Sequence, residues 1–343
     1  MLKGRKSVIG LDLGSSCIKA VEITRDKYDY IITGYGQIEV QNEAARPDAI
    51  RQLFDQCRFK SKKVVTAVSG KSVIVRYINM VQMSDANLQD AIRFEADKYI
   101  HFDLDEVELQ CQKLMDLPPS EGEESTEMKV LLVGVKKSLV EDQAQMLVDL
   151  GVHPLAIDVD AFAVGNAFEL NEMLAPGLVD EGRILGLVDI GASKTSINIL
   201  RNDVSLFARE IYIGGDDFTN AIMRRMGVDL YEAETLKRDP KDQAEEIREA
   251  VLSLIEDLGN EINLSFDFFE NQYDGAVDQV YLSGGGSMFP GLEEEFDTLF
   301  EKKTRIWNPI EGLKIRSENV DIETLNQSAL QLAVSVGLAA RAV

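Results

Sequence analysis

The apolar positions of the chain fall first into runs of strand length. Val8-Ile9-Gly10-Leu11 is broken by Asp12-Leu13-Gly14-Ser15-Ser16, and the run resumes at Cys17-Ile18. This predicts a β-hairpin over 8–19, with small residues and a glycine free to take φ > 0 at the bend. Alternation at 20–23 and 30–40 continues the sheet. Ile50, Leu53, Phe54 and Cys57 follow Pro47 at helical spacing, and 64–68 returns to strand. From Ser84, a helix cap, the pattern is helical through Leu88, Ala91, Ile92, Ala96 and Tyr99, ending near Ile100-His101-Phe102. Strands at 107–111 and 128–135 and a helix at 138–150, closed by Gly151, complete a small α/β unit over 84–152 inserted into the first half. Between its strands, 117–126 reads as an acidic, Pro-containing mobile loop. Strand 152–157 and helix 161–174 come next, and turn residues at 176–182 mark a boundary.

The second half opens with the same grammar. Ile184-Leu185-Gly186-Leu187-Val188 leads into Asp189-Ile190-Gly191-Ala192-Ser193-Lys194, and a strand resumes at Thr195. Two Asp-x-Gly hairpins predict a duplicated fold whose halves face a common ligand. Strand 204–212 runs into Gly214-Gly215 and an amphipathic helix, then a helix carrying Glu234 and Lys237. A long helix over 244–269, a strand at 278–282, Ser283-Gly284-Gly285-Gly286 and a small-residue helix over 326–340 complete the chain.

These patterns have a consistent chemistry. Backbone N–H groups at the first bend can converge on an anion. Asp12, itself negative, is suited to holding Mg²⁺ through water, and Lys19 to offsetting phosphate charge. Gly214 and Gly215 would leave unfilled helix N–H groups beside the ligand. Glu234 and Lys237 form either a surface ion pair or a contact to ribose hydroxyls and base. The glycine run leaves no Cβ between backbone and an adenine or diphosphate, and Pro290 suits the first turn of the next helix. Ser69-Gly70-Lys71-Ser72 resembles the tail of a Walker loop, but Val65 stands where that loop needs a glycine.

Composition narrows the class. The 343 residues suffice for about two cores, and 45% apolar with 28% charged residues suits a globular chain. A net charge of −23 argues against nucleic acid and against an anionic membrane surface. Cys17, Cys57 and Cys111 are too scattered for a disulfide framework, and His101 and His153 too few for a zinc site or a His-centred triad. The run behind Lys3, Arg5 and Lys6 is cut at Asp12, so no signal-peptide core is expected, and no apolar stretch is long enough to span a membrane. A cytoplasmic protein is expected, without direct membrane insertion.

Five elements in order, hairpin 9–19, helix 155–170, hairpin 187–196, glycine turn 283–286 and helix 326–341, resemble the motifs of the actin-like ATPases, a duplicated ribonuclease H-like α/β fold. Within that superfamily the opening Met1-Leu2-Lys3-Gly4-Arg5-Lys6-Ser7 and the stretch Phe94-Glu95-Ala96-Asp97-Lys98-Tyr99-Ile100-His101-Phe102-Asp103 are similar to the FtsA/PilM family of type IV pilus assembly and cell division. His101 stands where many relatives have proline. The chain stops at Arg341-Ala342-Val343, without the membrane helix of FtsA, which favours the PilM branch.

The resemblance implies a first lobe of 1–83, 153–182 and 326–343, a partner-binding insert of 84–152, and a second lobe of 183–325 whose helical part is 221–277. It implies ATP and Mg²⁺ as cofactors. Asp12 and Asp189 would position the metal, and Gly14, Ser15, Ser16, Lys19, Gly191 and Ser193 the phosphates. Gly214, Gly215, Glu234, Lys237, Gly284, Gly285 and Met288 would line the nucleoside. It further implies slow or absent hydrolysis, a role in pilus biogenesis and twitching motility beside the inner membrane, and binding of the cytoplasmic N-terminal tail of PilN, alongside other pilus components. Phe94, Tyr99 and Ile100 are the expected wall of that groove. An FtsA-like or filament-forming protein and a small-molecule kinase are the alternatives. For a kinase, Asp158 or Asp160 would supply the base; Asp160 would otherwise orient water or cap the helix that follows it.

Overall fold

In the computed structural model, residues 6–27, 29–118, 126–176, 182–273, 275–316 and 318–343 are described. The first apolar runs form β1 (Lys6–Leu13), β2 (Cys17–Arg25) and β3 (Tyr30–Glu39), then helix α1 (Arg46–Cys57) and β4 (Lys63–Val68). Three strands, β5 (Val73–Val81), β6 (Val107–Asp116) and β7 (Glu127–Lys136), belong to a separate unit with helices α2 (Asp85–Ala96) and α3 (Lys137–Asp149). The chain returns with β8 (His153–Val159) and α4 (Asp160–Leu174).

The second half contributes β9 (Ile184–Ile190), β10 (Thr195–Arg201) and β11 (Val204–Ile211), then helices α5 (Gly215–Met226), α6 (Leu230–Arg238) and α7 (Ala244–Gln272). After these come β12 (Gln279–Ser283), α8 (Leu292–Phe300), β13 (Lys303–Ile306), β14 (Lys314–Ile315), α9 (Ile322–Gln327) and α10 (Ala333–Ala340).

Two sheets carry the duplication. One has the order β14-β3-β2-β1-β4-β8, the other β11-β10-β9-β12-β13. In each, a three-stranded antiparallel meander is followed by a parallel neighbour of its first strand, β4 beside β1 and β12 beside β9. A parallel neighbour needs a crossover, and a strand flanked on both sides reads as continuous apolar residues, as Val8–Leu11 and Ile184–Val188 do. Helices α4 and α10 pack together in the common core, with Phe168 against Tyr281 and Trp307. The contact is made at backbone distance: a Cβ on Gly337 would lie 1.7 Å from the Ala163 carbonyl oxygen, and one on Gly10 1.8 Å from that of Ser335. Small residues at the C-terminus therefore serve close packing. The single helix expected there is divided: α9 ends at Gln327, a 3-10 turn occupies Ala329–Leu332, and α10 follows.

The inserted unit runs Val68–Asp149 and not from residue 84, because β5 pairs antiparallel with β7 along its whole length, from Val73 opposite Val135 to Val81 opposite Glu127. Gly70 at φ +89° turns the chain from β4 into β5, so Ser69–Ser72 is a strand connection and not a phosphate loop. The unit's core is Ile74, Ile78, Leu88, Ile92, Val130 and Leu132 with their neighbours, and the Ser84 hydroxyl caps α2 by accepting from the Asn87 N–H. A second boundary also moves. β14 lies within 183–325 yet pairs with β3 of the first sheet, Lys314 opposite Ile31. Most of the expected acidic loop and of the boundary turn, at 119–125 and 177–181, falls outside the described residues.

Candidate functional site

Asp12 and Lys19 stand directly opposite in the β1–β2 ladder, so their side chains share a face. They meet: the Lys19 Nζ donates to Asp12 Oδ2 at 2.7 Å, and the Asp12 residue is only 8% exposed. Burial opposes the lysine's charge, but Asp12 outweighs it and holds the ammonium above its ordinary range. Gly14 is required by proximity and not by a positive φ, since a Cβ there would sit 2.5 Å from the Cys17 carbonyl oxygen.

The second hairpin brings its own groups to the same place. Asp189 Oδ1 accepts from the Ser283 hydroxyl at 2.8 Å, and burial pushes its carboxyl up to about 6, against the opposing pull of Ser283 and Lys19. The Ser193 hydroxyl donates to that of Ser15 at 2.9 Å, so the two bends touch. Within the second bend the Gly191 N–H donates to the Lys194 carbonyl. Lys194 reaches Asp160 Oδ2 at 2.9 Å and Glu210 Oε1 at 2.7 Å. The Asp160 carboxylate is thus tied to Lys194 and makes no side-chain cap on α4, contrary to the capping role expected for it.

The N-terminus of α5 differs from expectation. The Gly214 N–H donates to the Asp217 carboxylate, Gly215 N–H to the Gly191 carbonyl, Asp216 N–H to the Ala192 carbonyl and Asp217 N–H to the Gly214 carbonyl. These groups are filled, and their work is to clamp the second bend. Gly214 is needed because a Cβ would lie 2.4 Å from the Ala192 carbonyl oxygen. The glycine run is likewise partly structural. Gly284, at φ +86°, and Gly286 both press on Ile190, with 2.3 Å between an added Cβ and its nearest atom in each case. Gly285 alone faces a flexible side chain, Gln331, whose amide also approaches the Met288 sulfur at 3.7 Å.

Glu234 and Lys237 pair at 2.6 Å and are joined by the Thr219 hydroxyl, which bonds Glu234 and accepts from Lys237 at 2.7 Å. Lys237 also donates to the Gly215 carbonyl at 3.2 Å. Burial would raise the Glu234 carboxyl, but bonds from Lys237 and Thr219 hold it below the usual range. The network fixes α6 on α5, and puts one carboxylate and one ammonium beside the Gly214–Gly215 turn.

Four carboxylates, Asp12, Asp160, Asp189 and Glu210, and two ammonium groups, Lys19 and Lys194, converge at the bends, an excess of two negative charges. That balance fits a divalent cation. Among the described residues no three acidic, His or Cys side chains cluster tightly enough to hold a metal directly, so Mg²⁺ here would keep waters and phosphate oxygens as its other ligands. Sequence reasoning missed Lys194 and Glu210. Lys194 stands visibly in the repeated bend, but Glu210 joins it through strand register, Ser196 pairing with Asp189 on one side and Glu210 on the other.

Other expected residues separate. Asp158 is bound by Arg341 at 2.9 Å and accepts from the Val159 N–H, which leaves it poorly placed as a kinase base. In the inserted unit Phe94 is 81% exposed and Tyr99 37%, but Ile100 is 5% exposed and its Cδ1 covers Gly134. Ile100 is a core residue, not a groove wall. No helix of the described residues is long and apolar enough to cross a membrane.

Two sheets of matched topology, each delivering an Asp-x-Gly hairpin to one cluster of charges, define the actin-like class of α/β proteins. The profile of the family described as type IV pilus assembly protein PilM matches residues 10–343, and the chain belongs to that family. It is similar to a chain of a solved PilM-PilN type IV pilus biogenesis complex, at 30% identity and a TM-score of 0.84, covering 99% of each chain. It shares its fold with the ethanolamine utilization protein EutJ of Carboxydothermus hydrogenoformans, at 16% identity and a TM-score of 0.58, covering 98% of this chain and 89% of that one. MreB 5 of Spiroplasma citri, solved with AMPPNP, gives 12% identity and a TM-score of 0.54, covering 97% and 94%.

Proposed function

We propose that this PilM-family protein is a cytoplasmic scaffold that holds Mg-ATP between its two hairpin bends and binds the N-terminal cytoplasmic segment of PilN. The observation that carries the nucleotide half is the meeting of the bends at Ser15 and Ser193 beside a cluster with two uncompensated negative charges. Asp12 and Asp189 would hold Mg²⁺ through water, Lys19 and the bends would meet phosphate oxygens, and Glu234, Lys237, Gly285 and Met288 would face the nucleoside. Bound Mg²⁺ would neutralise phosphate charge against the acidic cluster. Asp189 must be ionised for that role. The reading is a clamp: without nucleotide Asp160, the side chain expected to orient water or cap α4, is held by Lys194.

The PilN half rests on the similarity to the chain of the PilM-PilN complex. Phe94, exposed on α2 of the inserted unit, is the proposed anchor for the peptide, with Tyr99, past the end of that helix, as a second contact. A synthetic PilN N-terminal peptide titrated into the intact chain with and without Mg-ATP tests the reading. Binding that tightens with Mg-ATP is expected, and absence of binding under both conditions would sink it.

A further inference from the structure

Lys194 follows Ser193 in the second bend, and its ammonium is shared by a carboxylate from each lobe. Asp160 opens α4 beside the first sheet, whereas Glu210 lies on β11 of the second. The distances are 2.9 and 2.7 Å, and the three side chains are only 20%, 18% and 20% exposed for Lys194, Asp160 and Glu210. Tyr212 donates to the other Glu210 oxygen at 3.3 Å, which holds that carboxylate in place. The two halves are not symmetric here. Lys19 stands opposite Asp12 in the first ladder, but Ser196 occupies the matching place opposite Asp189. The second half therefore carries its cation at the bend itself, next to the Ser15–Ser193 contact.

We propose that Lys194 is a specificity-determining residue for the terminal phosphate of a nucleoside triphosphate, exchanging Asp160 for that phosphate and so linking triphosphate binding to the contact between lobes. The inference rests on the nucleotide reading above. An ammonium already paired and partly buried has given up most of its water, so a phosphate oxygen replaces a carboxylate oxygen with little further desolvation. Asp160 competes for the same ammonium, and its charge also repels phosphate. Removing the lysine leaves Asp160 and Glu210 facing each other and any incoming phosphate.

Calorimetric titration of the intact chain with a non-hydrolysable ATP analogue and with ADP, each with Mg²⁺, tests this on wild type, Lys194→Met, Lys194→Arg and Asp160→Asn. Lys194→Met is expected to weaken the analogue about 10-fold or more and ADP by less than about 3-fold, as loss of one charge-assisted bond to the terminal phosphate requires. Lys194→Arg should restore most of the discrimination, and Asp160→Asn should tighten the analogue. Equal losses for both nucleotides, or weaker analogue binding in Asp160→Asn, would overturn the proposal while the nucleotide reading stands. A wild type that binds neither nucleotide overturns both. If Lys194→Met does not fold, the Asp160→Asn result decides in the same sense.

Discussion

Replacing Gly337 with alanine sets two effects of known size against each other. Gly337 lies inside α10, where alanine is favoured over glycine by about 1 kcal/mol. Yet the new methyl would sit 1.7 Å from the Ala163 carbonyl oxygen, 2.6 Å from its carbon and 3.0 Å from the Ala167 nitrogen. All three are backbone atoms of α4, so no side chain can swing away. To restore contact at about 3.2 Å, α10 must withdraw by roughly 1.5 Å, lifting Val336 and Leu338 from a core in which they are fully buried. Overpacking of this kind costs about 1–3 kcal/mol or more, and a backbone-to-backbone clash belongs at the upper end. The expected net loss is about 2 kcal/mol, a fall in Tm of about 3 °C for a chain of this size. Thermal unfolding followed by circular dichroism, with wild type and variant side by side, measures it. An unchanged or higher Tm would mean that helix propensity wins and that α10 does not approach α4 as closely as described.

Further outcomes follow from the site. Because the folded Asp189 carboxyl is raised to about 6, its contribution favours the fold below about pH 4 and is lost as pH rises through about 6. Without nucleotide, Asp189→Asn should therefore be more stable than wild type at pH 7.5, by at most a few kcal/mol, with the difference vanishing near pH 4 in urea titrations. Lys237→Met should weaken ATP and ADP alike, by about 10-fold, since its bonds to Glu234 and Thr219 organise the nucleoside side and not the terminal phosphate; selective loss of ATP would count against that placement. Phe94→Ser should weaken the PilN peptide without changing Tm, whereas Ile100→Ala should cost about 2–5 kcal/mol of stability by opening the core of the inserted unit. Competition binding and melting curves separate the two effects.

The hairpins were legible because a strand buried on both faces must be apolar throughout, and an Asp-x-Gly break in such a run is conspicuous twice. What sequence reasoning could not supply was partnership at a distance. Residues 73–81 do not read as a strand from their pattern alone, since Arg76 and Asn79 blur the alternation and the partner β7 lies far along the chain. The unit therefore begins at Val68, earlier than the helical pattern from Ser84 implies. The glycines expected to face a ligand also have a packing reason that the sequence does not display: a Cβ at Gly14, Gly214, Gly284 or Gly286 would collide with neighbouring protein atoms. The helix N–H groups expected to face a ligand are filled by Gly191, Ala192, Gly214 and Asp217. Ile100 shared the apolar character of Phe94 and Tyr99, but only the packing beneath Gly134 distinguishes core from surface.

The two bends are proposed to form one Mg²⁺-dependent nucleotide clamp. Isothermal titration of the intact chain with the non-hydrolysable ATP analogue, with Mg²⁺ and then with EDTA, tests it most directly when repeated on Asp12→Ala and Asp189→Asn. Binding that requires Mg²⁺ in the wild type and is lost when either hairpin is altered is the expected result. Binding that is indifferent to Mg²⁺, or that survives in both variants, would contradict it.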